Sequence, residues 1–592
     1  MGKKAVLLDA LEALELHTKS PRRHALATLV KQCGEVKSPV LGKRLHSLIS
    51  RFEQQENTIV VSNLLVYMYS QCGCLSDSKM VFDTIPEPNV FSWTMLFSAY
   101  AYNGHLEEAR LVFNSMSYKD LAAWNTMIAS FAQAENSNQA LRVFCAMNLE
   151  GLRPNERTFV SVSSACIGLS YHSRLVGSIA IESGVADACV NVANSIISMY
   201  ARCGCLQESN IIFRSIQEQG RDDTVSWNAI IGAHTQLGHF DKALDFYARM
   251  CAEGMKADGI TMVTCLEACG GSLARGRMVH SHADAAGFHL DAMVCTAVIA
   301  MYGRCGLQCL DEAKMVFQRL LEKGSGRGDV VLWTAMVGVY IKEEQHGEAF
   351  VLFRNMDLEG VVPNEMTLSS VLDACAALQD LNTGRMLHRE VTSNGYLGSK
   401  SVVLGTSLLD MYAKCGDLNA AKEVFESMRI KTTVTWNAMA AAYAALHGLE
   451  ELQASDGLGL CREMELQGVR PDGATFVNIL TLCSQCGILE TGLSYFSRLQ
   501  SDYGLEPSAL HNACAVDLLG RLGFLDEAEA IVSIDALHSD GDRALGWLPL
   551  LSACRTHDDA ARGFHATEQL LATSPHHASA YVLLSTISSY VV

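Results

Sequence analysis

The chain has 592 residues, of which 49% are hydrophobic and 19% charged, with a formal net charge of −18. Such a chain can bury a core along its whole length, and it lacks the broad basic surface that holds a protein on nucleic acid through phosphates alone. Ten prolines and no low-complexity tract argue against a long disordered linker, and no apolar run reaches the 18 or more residues that a membrane-spanning helix requires.

In chain order, the first 22 residues open MGKKAVLLDALEALELH and read as a leader. They carry no signal-peptide cleavage pattern, and Asp9, Glu12 and Glu15 fit poorly with an acidic-poor transit peptide. Met1-Gly2 without Ser or Thr at position 6 is a weak match to a myristoylation signal. From residue 23 onward the sequence copies itself. All six tryptophans sit in related phrases, at Trp93, Trp124, Trp227, Trp333, Trp436 and Trp547, such as VFSWTML, TVSWNAI and TVTWNAM. A rare residue returning at near-constant intervals signals an array of one small unit.

The unit is legible at 121–155. WNTMIASFA predicts an amphipathic helix with Trp124, Met127, Ile128 and Phe131 on one face. After the polar break AENSN, Ala140, Phe144 and Met147 predict a second helix. GLRPN closes the unit, with Gly151 at a helix end and Pro154 preventing continuation. The second-helix stripe recurs as Ala109/Phe113/Met116, Ala243/Tyr247/Met250, Ala349/Phe353/Met356 and Ala421/Phe425/Met428 and reads as core. Three versions of the unit alternate. One carries the WN or WT phrase and spans 121–155, 224–258 and 330–364. A second opens ERTFVSVSSAC, GITMVTCLEAC, EMTLSSVLDAC or GATFVNILTLC. A third reads NLLVYMYSQCG, NSIISMYARCG, TAVIAMYGRCG or TSLLDMYAKCG. No strand pattern survives. The expected fold is all-α, an α-solenoid superhelix of stacked helix–turn–helix units. Units 190–223, 292–329 and 433–472 carry extra residues around Glu218–Asp222, 323–328 and 449–457. An outward bulge there keeps one face continuous, and an inward one interrupts it.

The 21 cysteines follow the repeat. Cys72, Cys203, Cys305 and Cys415 stand in QCG, RCG and KCG phrases, while Cys33, Cys166, Cys269, Cys375 and Cys483 end another recurring phrase. They read as small buried hydrophobes in a reducing compartment, without metal or disulfide.

These phrases resemble the pentatricopeptide repeat (PPR) family, and their three-way alternation resembles its plant PLS subclass, over residues 23–592. The resemblance divides the chain into the leader 1–22, a PLS-type array 23–508, a terminal S-like unit 509–543 and an E-like extension 544–592. The last two rest on GLEPSALHNACAVDLLGRLGFLDEAEA and on GWLPLLSACRTHDD followed by SPHHASAYVLLSTISSY. The extension reads as truncated partway through its second unit. Members of the family often continue into a DYW deaminase domain, which needs H-x-E and a downstream P-C-x-x-C. That set is absent from this sequence. His388-Arg389-Glu390 and Cys483/Cys486 mimic its halves, but both fall at repeat positions and no proline precedes Cys483.

The resemblance further implies that each unit reads one base of single-stranded RNA. The residue after the first-helix aromatic and the last residue of the unit form the reading pair. Asp accepts only, matching the ring N–H of U or G, whereas an Asn amide donates to the bare ring nitrogen of C or A. Carried over by residue, Asn63 with Asn89 implies C or U, Thr94 with Asp120 G, and Asn125 with Asn155 C or U. Asn194 with Asp223 and Asn228 with Asp258 each imply U. Thr296 with Asp329 implies G, Thr334 with Asn364 A, and Asn437 with Asp472 U. Thr406 with Thr432 departs from the usual pairs. The second-version units place Ala27, Val160, Val263, Ser369 and Val477 at the first position and leave their bases unread. Asn and Asp near helix ends are also ordinary caps. Nine units with Asn or Thr at the first site, eight of them with Asn or Asp at the other, exceed what capping alone explains. The implied role is a site-recognition factor for organellar RNA editing that recruits a deaminase or accessory protein in trans. It would act in the mitochondrion or chloroplast and need no catalytic residues, metal or cofactor of its own. The alternatives are a protein-binding helical scaffold and a fragment of a longer editing enzyme.

Overall fold

The protein is known from a computed structural model that describes residues 7–8, 10–12, 23–52, 59–134, 136–166, 168, 170–324, 326, 328–393, 401–445, 451–538 and 544–573. The described residues form helices and turns, with no strand among them. Two compact units result, Met1–His289 and Leu290–Val592.

In the first unit the opening helices of successive hairpins stand side by side. They are Ile59–Gln71, Val90–Tyr102, Leu121–Gln133, Glu156–Ala165, Val190–Arg202, Thr224–Gln236 and Gly259–Ala268, each touching the next. The closing helices, such as Leu106–Ser115 and Ser137–Leu149, pack on their own opening helix and on the following one. The result is a two-layer solenoid. The second unit repeats it from Ala292–Cys305 through Val330–Lys342, Glu365–Leu378, Val402–Lys414, Thr433–Ala444, Gly473–Cys486 and Ala509–Arg521 to Ala544–Thr556. Of the expected leader, Leu7 and Leu11 are fully buried in a core with Leu26, Val30 and Cys33. The phrase SPHHASAYVLLSTISSY lies outside the described residues.

The tryptophan period has a packing cause. Trp93, Trp124, Trp227, Trp333 and Trp436 each meet the phenylalanine that closes the preceding hairpin, Phe82, Phe113, Phe213, Phe317 and Phe425, edge to face. Centroid separations run from 4.8 to 5.1 Å. Each pair is worth about 0.5–1.5 kcal/mol beyond its buried area, so the indole serves as the joint between units. The expected stripes are buried at Ala140, Phe144, Met147, Ala243, Tyr247 and Met250. One position differs: Phe353 is only half-buried, and its neighbour Leu352 fills the core beside Ala349 and Met356. Gly151, Gly254, Gly360 and Gly468 close their helices at φ between 73° and 78°, a left-handed turn that costs other residues strain.

All 21 cysteines are free thiols. Cys33, Cys166, Cys203, Cys269, Cys375 and Cys483 are buried as expected, but Cys72, Cys305 and Cys415, at the ends of their opening helices like Cys203, are only half-buried. The extra residues at Glu218–Asp222 go into the end of the helix Leu206–Glu218 and its exit turn. There the Arg221 guanidinium donates to the Asp187 and Ala188 carbonyls. The stacking of Val190–Arg202 on Thr224–Gln236 is uninterrupted. Across the other two insertions the opening helices likewise remain in contact, Ala292–Cys305 with Val330–Lys342 and Thr433–Ala444 with Gly473–Cys486. Part of each of these insertions, 325, 327 and 446–450, lies outside the described residues.

Candidate nucleic-acid interface

Asn89, Asp120, Asn155, Asp223, Asp258, Asp329, Asn364, Thr432 and Asp472 all occupy one structural position. Each is the N-cap of the next opening helix. In the eight Asn and Asp residues, capping and a base contact are therefore compatible explanations, since one side chain has atoms for both, whereas Thr432 has a single hydroxyl that serves the cap. A cap needs one acceptor oxygen. At Asp258 three contacts fall on Oδ1, from Thr261 N at 2.8 Å, Thr261 Oγ1 at 2.9 Å and Asn228 Nδ2 at 3.1 Å. Oδ2 carries none of these three, although the Ile260 backbone also favours the ionised carboxylate. At Asn155 the same three bonds fall on Oδ1, which leaves the amide Nδ2 as a spare donor. The cap is common to both residues and the remaining atom differs.

The first-position residues stand one helix back. Asn125 donates to Asn155 at 3.1 Å, Asn228 to Asp258 at 3.1 Å and Asn437 to Asp472 at 2.9 Å. The structure thus brings three expected pairs into direct contact. Thr334 and Thr406 instead reach the hydroxyls of Thr367, at 2.6 Å, and Thr435, at 3.0 Å, which in turn bond the caps Asn364 and Thr432. The remaining four pairs are not joined. Thr94 and Thr296 donate to their own helix at Val90 and Ala292. Asn194 is buried with neither amide atom bonded, and Asn63 is buried with its Oδ1 unpartnered.

Asn194, Asn228 and Asp258 line one groove of about 740 Å³ across the opening helices of the first unit, together with Val160, Arg202 and Glu156. Val160 is the apolar first-position residue of a second-version unit. Burial by itself raises the pKa of Asp258, but bonds from the Thr261 backbone, Asn228 and the Thr261 hydroxyl outweigh it and hold the carboxyl below its ordinary value. Asp472 behaves alike, with burial opposed by Asn437 and Thr475. Both are acceptors only at neutral pH.

Comparison with known proteins agrees with this architecture. The PPR repeat family pattern matches residues 119–167, 222–271 and 328–377, and the single PPR repeat matches 91–121, 192–221 and 406–431. A pentatricopeptide repeat-containing protein of Arabidopsis thaliana is 33% identical over 572 residues, covering 96% of this chain and 72% of its own length. The chain belongs to the pentatricopeptide repeat family. Two further PPR proteins of the same plant, named mitochondrial and chloroplastic, are each 29% identical and are spanned over 69% and 62% of their lengths. The PPR fold is also that of maize PPR10, solved in complex with an 18-nt psaJ RNA element. That structure superposes with a TM-score of 0.57 at 17% identity, over 99% of this chain and 89% of that one.

In this PPR array, sequence reasoning passed over the threonines three residues beyond the cap, Thr158, Thr261, Thr367, Thr435 and Thr475. Their signal was available as a capping-box spacing. The two deaminase look-alikes are packing residues. His388 Nδ1 meets Tyr412 Oη at 2.9 Å, repeating His46 with Tyr69 at 2.8 Å, and burial lowers its pKa. The Cys483 thiol is pushed up to about 12 by burial, with Cys486 adding to the shift. Among the described residues no three His, Cys, Asp or Glu side chains converge as a metal site.

Proposed function

We propose that this PPR protein binds single-stranded RNA by sequence, one base per reading pair. The carrying observation is that at Asn125/Asn155, Asn228/Asp258 and Asn437/Asp472 the two side chains meet through one oxygen of the cap, so that the second polar atom of the cap differs with Asp or Asn. Asp258 offers an acceptor to the N3–H of uracil, and Asn155 offers a donor to the bare N3 of cytosine. Single-stranded targets follow because those base edges must be unpaired. Along the first unit the pairs read, 5′ to 3′, Y-G-Y-n-U-U-n. Along the second they read G-A-n-n-U, where n is unread and Y a pyrimidine. The RNA complex of maize PPR10 supports the class of ligand.

The finer reading is a PLS-subclass editing factor. It rests on the three alternating unit versions and on the E-like phrases after residue 544. In this reading the array chooses the site, a DYW-type deaminase or accessory protein bound in trans does the chemistry, and the site of action is mitochondrion or chloroplast, as in the names of two relatives. The test is competition binding at physiological salt between an oligonucleotide carrying Y-G-Y-n-U-U and its scramble. A preference of tenfold or more supports sequence reading, and equal affinity overturns it in favour of a protein-binding scaffold.

A further inference from the structure

The nine reading junctions differ in whether the first-position side chain is bonded across the junction, and the difference follows a residue outside the pair. Where the third residue of the next opening helix is threonine, its hydroxyl bonds the first-position side chain of the preceding unit. This holds for Thr158 on Asn125 at 2.6 Å, Thr261 on Asn228 at 2.7 Å and Thr475 on Asn437 at 2.6 Å, and for Thr367 and Thr435 on Thr334 and Thr406. Where that residue is Ser92, Ala123, Ser226 or Leu332, no such bond forms. The physical cause is rotamer restriction. The β-branched threonine has few χ1 choices, and all five are buried, so the hydroxyl is held between cap and neighbour. Thr261 stands 2.7 Å from Asn228 Oδ1 and 2.9 Å from its own cap, so its single hydroxyl proton serves the nearer Asn228 or is shared between the two, whereas Ser226 reaches only its own cap, Asp223, at 2.9 Å.

The bond settles the amide's orientation. In Asn228 the oxygen accepts from Thr261 and one N–H goes to Asp258 Oδ1, so the second N–H is the group left for a base. Asn194, beside Ser226, has neither end engaged although it is buried, and either face can turn outward. We infer that Thr158, Thr261 and Thr475 are positioning residues that lock the reading amide, so that threonine-backed units discriminate bases sharply and serine-backed units loosely. The inference rests on the proposed RNA reading.

The experiment uses the full chain and oligonucleotides that vary only the base opposite Asn228/Asp258 or only that opposite Asn194/Asp223. Thr261→Val keeps the volume and removes the hydroxyl. It is expected to reduce uracil-over-cytosine preference roughly fivefold at the first base and leave the second unchanged. Ser226→Thr adds the lock and is expected to sharpen preference at the second base alone by a similar factor. Thermal unfolding of both variants separates positioning from loss of the capping box, because a purely structural threonine lowers stability and weakens all sequences equally. If wild type discriminates and Thr261→Val does so equally, the positioning role fails while RNA reading stands. If wild type does not tell matched from scrambled RNA, both fall.

Discussion

At the level of single residues, the proposed reading rests on a side-chain atom of the cap other than the one that bonds the helix N-terminus. Asp258→Asn keeps a cap of equal quality, since Asn and Asp rank together at that position, and replaces the second acceptor with a donor. The uracil preference at that base is expected to shift toward cytosine about fivefold or more, with the melting temperature nearly unchanged. Competition with U- and C-bearing oligonucleotides measures it, and an unchanged preference would reduce Asp258 to a cap. Titration gives a second check. The folded pKa of Asp258 and Asp472 lies below the ordinary 3.8. A depressed folded pKa stabilises the fold above the unfolded value, and that contribution is lost as pH falls through the folded one. Lowering pH from 7 to 5 is therefore expected to leave both their stability contribution and the uracil preference intact. Both decline only below about 3.8. A loss of uracil preference already at pH 5, in RNA binding followed across the series, would contradict this.

At the level of helices, the joints between units are the aromatic pairs and the close approaches. Trp227 is fully buried against Phe213 and Phe246. Trp227→Ala is expected to cost about 3–5 kcal/mol. Nearest-neighbour coupling in a solenoid confines the damage chiefly to the adjoining hairpins. Hydrogen exchange is expected to rise there first, and a uniform rise across the chain would argue against a repeat-by-repeat core. Gly177 shows the opposite constraint. The hydroxyl of Tyr200 occupies the space a Cβ would need. Gly177 stands at the position that holds His46 before Tyr69 and His388 before Tyr412, so where histidine is lacking the tyrosine takes its room. Gly177→Ala is expected to cost about 1–3 kcal/mol by overpacking, measured by chemical denaturation. A neutral result would mean that Tyr200 swings away freely.

For the whole molecule, a net charge of −18 sets the kind of affinity available. So acidic a chain is expected to neutralise few phosphates, and each contributes about −0.7 to the slope of log K against log salt for single strands. The slope is expected to be shallow, on the order of −1 to −2, for the matched oligonucleotide. A steep slope with equal affinity for all sequences would mark phosphate-driven binding instead. The H-x-E and P-C-x-x-C set that holds zinc in a DYW domain does not occur in the sequence, and elemental analysis of the purified chain is expected to find no stoichiometric zinc.

The sequence by itself determined the repeat, its helical hairpin, the burial of most of its stripes and the positions of the candidate reading residues. All of these follow from periodicity and local turn chemistry, which act over fewer than about 40 residues. It also held the residues of the threonine lock, but not their meaning. Only the tertiary structure decided that Asn228, Asp258 and Thr261 form one network while Asn194 and Asp223 do not. That outcome depends on which atom each hydroxyl reaches across about 30 residues of intervening hairpin. The same is true of Leu352 replacing Phe353 in the core and of Tyr200 filling the space at Gly177. A repeat pattern fixes which face a side chain lies on. Packing between neighbouring units fixes which partner it meets there.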